Sequence, residues 1–233
     1  MEGTTSRWHR RAAAAVAVAL AALVPAVAGT ASPAGAQAAA DPILFVHGWN
    51  SSASTWNTMI DRFVAAGYPR SRLSAITYNS NQSNGTIAQQ VRSAADALRS
   101  STGAARIDIV THLMGGLSGR YYLKNLGGAA VVDEFVSLGG PNHGTNWAYA
   151  CYPFSAGCRD MVPNSGFLNA LNSGDETPGA VRYGAFYSTC DEVINPDTST
   201  RLDGADNREV GCLSHSALRT DAAVFATVRG FVA

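Results

Sequence analysis

Val110-Thr111-His112-Leu113-Met114-Gly115-Gly116 is the stretch whose reading decides the fold. Arg106 to Leu113 is a short, largely apolar run of the kind that forms a buried strand. The residues after it follow a helical period, with Leu117, Tyr121 and Leu126 along one face. Strand therefore turns into helix at Leu113. Thr111, Gly115 and Gly116 put small residues where such a turn is tightest, because larger ones would clash with the neighbouring backbone. A residue at this kind of turn sits at a strained backbone angle and points into a cleft.

Working outward, the same alternation repeats. Pro42 to Trp49 reads as a buried strand ending in His47-Gly48-Trp49. Trp56, Met59, Ile60, Phe63 and Val64 then follow helical spacing until Gly67 and Pro69 stop it. Arg72 to Tyr78 is a second strand, and a polar loop leads to a helix with Ile87, Val91, Ala94 and Leu98 on one stripe. Val132 to Leu138 is the strand after the central turn, closed by Gly139-Gly140-Pro141. Val181 to Ser188 and Asn207 to Leu213 read as the last two strands. Leu218, Phe225, Val228 and Val232 mark a closing helix. Between them, Asn142 to Ala180 shows no regular period and reads as a long loop that partly covers a cleft. Strand–helix alternation of this kind implies α/β architecture, a mostly parallel sheet of about six strands with helices on both faces and no large cap domain.

The N-terminus reads differently. Arg7, Arg10 and Arg11 precede an apolar run from Ala12 to about Val27, followed by Ala34-Gly35-Ala36 and Ala36-Gln37-Ala38. Charged start, apolar middle and Ala-x-Ala sites are the pattern of a cleaved signal peptide over residues 1–38. The paired Arg10-Arg11 leaves the export route open. A single domain at 39–233, secreted and without a stable membrane anchor, is the expectation, and a monomer with it. The chain has 17 basic and 17 acidic residues, and removing the leader's three arginines and Glu2 leaves 14 and 16. No basic stripe remains to hold nucleic acid. The four cysteines, Cys151, Cys158, Cys190 and Cys212, are an even set in an exported segment and argue for two disulfides, with three pairings possible. Zinc ranks far lower, since no C-x-x-C spacing occurs. Nothing in the sequence asks for a metal or a cofactor.

Taken together, Val46-His47-Gly48-Trp49, Thr111-His112-x-Met114-Gly115-Gly116, Leu138-Gly139-Gly140-Pro141, Ser188-Thr189-Cys190-Asp191 and Ser214-His215 resemble, in order and spacing, the small secreted lipases and esterases called lipase class 2. The resemblance covers nearly all of residues 39–233. It implies the α/β-hydrolase fold and a triad in the chain order Ser, Asp, His. It places the acid at Asp191 and the base at His215. Asp197, Asp203 and Asp206 are the rivals to Asp191, and Asp203-Gly204 reads better as a turn. The oxyanion donors are expected at the backbone N–H groups of Trp49 and Met114. His47 and His112 read as supporting residues, and His143 receives no role. Cys151–Cys158 is the favoured local staple. Cys190–Cys212 would tie the Asp191 and His215 segments together.

The resemblance fails at its most important position. Where the family carries the nucleophilic serine, this chain has Leu113. A leucine has no lone pair and no ionisable state, so it forms no acyl-enzyme. Ser118, about 7.5 Å further along the helix axis, and Thr111, upstream in the strand, are poor substitutes. The expectation is a protein unable to hydrolyse esters as written, at most binding lipids or small esters. The alternative is an active lipase or carboxylesterase, in which Leu113 is not the native residue or another nucleophile bypasses it.

Overall fold

The computed structural model describes residues 1–3 and 40–232. The leader expected at 1–38 lies, apart from its first three residues, outside the described residues. The sheet lies in the compact unit spanning 39–233. Six strands pair in the order β2-β1-β3-β4-β5-β6. They are β1 Ile43–Val46, β2 Leu73–Ile76, β3 Ile107–His112, β4 Val132–Leu138, β5 Arg182–Tyr187 and β6 Asp206–Glu209. Every pairing is parallel.

The sheet is buried on both faces because helices cover both, and the strand period of two sorts the side chains between them. Ile43 and Phe45 of β1 pack with Val110 of β3 on the face held by α1 (Asn57–Ala65) and α6 (Ala222–Phe231). Leu44, Val46, Ile107 and Ile109 point the other way, against α2 (Asn84–Thr102) and α3 (Met114–Asn125). This alternation makes the central strands read as continuous apolar runs.

The order of strands places the site. From β1 the chain crosses by α1 to β2 on one side, whereas from β3 it crosses by α3 to β4 on the other side. Loops leaving the carboxyl ends of β1 and β3 therefore diverge and open a crevice between two adjacent strands. Gly48 and Trp49 follow β1 there, and Leu113 follows β3.

Several details differ from the sequence reading. The segment from Asn142 to Ala180 is not an irregular loop. It carries a 3-10 turn at Asn146–Ala150 and two short helices, α4 (Ala156–Met161) and α5 (Gly166–Asn172). Ser155 and Ser165 cap these helices with their side chains. Cys158, Met161, Leu168 and Leu171 bury into the same core cluster as Met114 and Leu117. Val64 is exposed, since the core stripe of α1 ends at Phe63. In α3 the buried aromatic is Tyr122, with Tyr121 only partly covered. The strand expected at Asn207–Leu213 is shorter and starts earlier. All four residues of β6 are exposed, and its charged side chains suit an unpaired sheet edge. Among the described residues, no helix is long and apolar enough to cross a membrane.

Candidate active site

Leu113 sits at φ 52° and ψ −127°, between the last residue of β3 and the first of α3. Few non-glycine residues occupy that region, and holding one there costs about 1–3 kcal/mol. The surroundings fix it. Its N–H donates to the Leu138 carbonyl at 3.1 Å, and its own carbonyl accepts from Gly116 at 3.0 Å. A β-carbon on Gly115 would lie 2.5 Å from the His47 carbonyl oxygen and 2.6 Å from that of Val46. Glycine is thus the condition for α3 to start this close to the end of β1.

Asp191 and His215 meet across two loops. His215 Nδ1 lies 2.7 Å from Asp191 Oδ2. The other carboxylate oxygen accepts the N–H groups of Val193 and Ile194 at 2.8 and 2.9 Å. The aspartate is thereby clamped in its own turn and holds the imidazole by one edge. Both side chains are buried. Nε2 of His215 is buried without any hydrogen-bond partner among the described residues.

The two loops are fastened to each other in three ways. Cys190 is disulfide-bonded to Cys212. Ser188 Oγ donates to the Leu213 carbonyl at 2.7 Å and accepts the N–H groups of Leu213 and Cys190 at 2.8 and 3.1 Å. Glu192 accepts the His215 N–H at 3.0 Å. The second disulfide, Cys151–Cys158, staples the turn before α4. Both pairs match the favoured sequence reading. Glu192 was missed, although it adjoins Asp191 in sequence. Nothing in a linear pattern shows that its carboxylate reaches a residue 23 positions away.

The other histidines among the described residues, His47, His112 and His143, have structural partners. His47 stacks on Tyr78 with ring centroids 3.9 Å apart. Its Nδ1 donates to the Gly48 carbonyl at 2.7 Å, and its Nε2 accepts the Tyr78 N–H at 3.3 Å. Burial holds its pKa below the ordinary value. His112 donates from Nε2 to the His215 carbonyl at 3.2 Å. Burial, reinforced by the nearby His215 and Arg219, keeps it neutral well below the usual histidine range. His143 lies apart from this cleft and pairs with Glu176 at 2.9 Å.

Of the rival acids, Asp206 pairs with Arg208 on the edge strand, and Asp203 forms the expected turn with Gly204 at φ 83°. The two hydroxyls near Leu113 are already engaged. Ser118 is fully buried and donates to Asn84 Oδ1 at 2.7 Å, while Thr111 is fully buried and donates to the Val136 carbonyl at 2.9 Å.

The cleft at this point encloses about 280 Å³. Trp49, Leu113, Trp147 and Val193 give it apolar walls, and His215 and Arg219 also line it. Trp49 and Trp147 meet edge to face at 5.4 Å. Trp147 was another residue hidden from the sequence reading, lost in a segment without period. Neither the Trp49 N–H nor the Met114 N–H donates a hydrogen bond among the described residues. Among those residues, no group of three histidine, cysteine or acidic side chains is placed to hold a metal ion.

The sequence profile of the family described as Lipase (class 2) matches residues 40–221. This chain belongs to the lipase class 2 family. Solved structures agree on the fold. The mature form of Bacillus licheniformis lipase BlEst2 superposes with a TM-score of 0.74 at 17% identity, over 84% of this chain and 93% of that one. The lin2722 product of Listeria innocua gives 0.63 at 16% identity, over 83% and 94%. Aspergillus fumigatus lipase B gives 0.67 at 18% identity, but this chain spans only 51% of its length. At these identities the likeness establishes the α/β-hydrolase fold of this lipase class 2 chain, and nothing finer.

Proposed function

We propose that this lipase class 2 chain does not hydrolyse esters as it stands, and that its cleft at most holds a lipid-derived or small ester ligand without turning it over. Leu113 at the strained turn carries the reading. Ester hydrolysis in this fold needs a hydroxyl there, whose oxygen attacks the carbonyl while the histidine takes its proton. A methyl-bearing side chain does neither. The partnerless Nε2 of His215 supports the same view, because a serine Oγ at position 113 is the group that would engage it.

The other parts keep their assigned roles in this reading. Asp191 orients His215 and would stabilise its protonated form. The N–H groups of Trp49 and Met114 would face the developing oxyanion, and both are unengaged among the described residues. Ser118 and Thr111 are committed to other partners and make no replacement nucleophile. Export after loss of residues 1–38 is part of the proposal, and two disulfides are compatible with it.

A second reading is that of an active lipase or carboxylesterase in which serine is the native residue at 113. The hydrogen-bonded Asp191–His215 pair favours it, since such a pair has no use without a nucleophile. Labelling with a fluorophosphonate separates the two. The chain as written should take no stable label and show no burst with an activated ester. Stoichiometric labelling would overturn the proposal, and the modified residue would identify the nucleophile.

A further inference from the structure

Among the described residues, the arginines and the one lysine, Lys124, nearly all have a partner, although the buried Arg120 keeps Nε and Nη1 without one. Each donates to a carbonyl, a hydroxyl or a carboxylate or, for Arg92, stands in an exposed ion pair with Asp96, with two exceptions. One is Arg229, exposed on the outer face of α6. The other is Arg219, half buried and lining the cleft beside Leu113. Its Nε is buried with no partner. No aspartate or glutamate lines that cleft, because Asp191 stands behind His215.

The position of Arg219 is set by the backbone. It ends the 3-10 turn His215–Arg219, so His215 and Arg219 leave the same short turn towards one cleft. Its charge is felt by His112 at the cleft floor. Burial also works against its own charge, which is the condition under which a cation gains most from an anionic partner. A neutral ester offers a guanidinium only a carbonyl oxygen. A carboxylate matches its planar fork with two oxygens. Around that cation the walls are Trp49, Trp147, Leu113 and Val193, which suit a short apolar tail.

We propose that the cleft recognises an amphipathic monocarboxylate, with Arg219 taking the carboxylate and the apolar walls taking the tail. This rests on the reading that the cleft still accepts apolar ligands, and adds that it discriminates the free acid from its ester. The ligand class is that of a short fatty acid or similar apolar acid, the kind of molecule that ester hydrolysis releases.

Calorimetric titration of the full chain with octanoate and with methyl octanoate tests it. Octanoate should bind at least about tenfold more tightly than the ester, which corresponds to about 1.4 kcal/mol. The preference should shrink as salt is raised. Arg219→Gln should abolish the preference, bringing octanoate affinity down to that of the ester in the same variant, and Arg219→Lys should keep part of it. Equal affinities in the wild-type chain would overturn the role of Arg219 while the cleft reading stands. A preference that survives in Arg219→Gln would overturn it too. If neither compound binds, both this inference and the ligand-holding reading fall. Should Arg219→Gln not fold, the wild-type comparison and Arg219→Lys still decide the question.

Discussion

A β-carbon on Gly48 would lie 2.7 Å from the β-carbon of Leu113. The loop after β1 and the turn after β3 thus touch at Leu113, the position proposed for a nucleophile. Position 113 is held by backbone on both sides, so its side chain can change without moving the turn. Leu113→Ser should therefore fold and place an oxygen near His215. We expect it to gain ester hydrolysis by several orders of magnitude, since losing the nucleophile costs about 10⁶ in kcat in a serine protease. In that background His215→Ala and Asp191→Asn should each remove most of the gain, because members of a triad act as a unit. Initial rates with a short-chain chromogenic ester would check this. A folded but inert Leu113→Ser protein would show the dyad to be wrongly assigned.

The glycines at the turn should not be equivalent. In Gly115→Ala the new methyl meets two backbone carbonyls of the β1 end, which cannot rotate away. Overpacking of this kind costs about 1–3 kcal/mol. In Gly116→Ala the nearest atom is Ser137 Oγ at 2.8 Å, a buried side-chain atom with no hydrogen bond among the described residues to lose if it shifts. Gly230, in α6, has nothing within 4 Å of an added β-carbon. Gly230→Ala should stabilise by about 0.5–1 kcal/mol through helix entropy. Denaturant melts of the three variants should rank Gly230→Ala above Gly116→Ala above Gly115→Ala.

The parts legible in the sequence were those fixed by local physics. Strands β1, β3 and β4 are buried on both faces, so their apolar runs are plain. The turn announced itself through Gly115 and Gly116, and the chain order of Asp191 and His215 followed from the family resemblance. Helices α4 and α5 escaped because six and seven residues are too few to show a period. β6 was found but its bounds were misjudged, because an exposed edge strand carries no apolar signal to mark its ends. Arg219, Glu192 and Trp147 were invisible for another reason. Each matters through a neighbour distant in sequence, and only the closed fold brings them together.

The two disulfides should differ in what they protect. Cys190–Cys212 closes 22 residues and Cys151–Cys158 closes 7. Chain entropy alone makes the longer worth about 3 kcal/mol and the shorter about 2 kcal/mol. Cys190→Ser with Cys212→Ser should also loosen the loops of Asp191 and His215, which Ser188 and Glu192 would then hold alone. In the Leu113→Ser background this should lower kcat more than removal of Cys151–Cys158 does. Equal kinetic effects would mean that Ser188 and Glu192 suffice.

His143 and Glu176 give the fold a pH signature away from the cleft. The hydrogen bond to Glu176 raises the His143 pKa above 6.5, against an opposing effect of burial. For Glu176 burial is the largest influence and pushes upward, but the bonds from His143 and from the Asp203 N–H outweigh it and leave the value below 4.5. The histidine's contribution to stability is thus fully present below 6.5 and is lost as pH rises through its raised folded value. The glutamate's contribution is present above 4.5 and is lost as pH falls through its depressed folded value. Between those limits the pair should hold the start of the 142–180 segment to its end most firmly. Glu176 is buried while the His143 ring is nearly half exposed, so solvent screens the pair and the effect should be modest. Comparing wild type with His143→Gln cancels the other histidines. The gap in melting temperature should be widest between pH 4.5 and 6.5 and should narrow as pH rises through the raised His143 value. A gap that stays constant through that rise would show that the pair stabilises only as a neutral hydrogen bond.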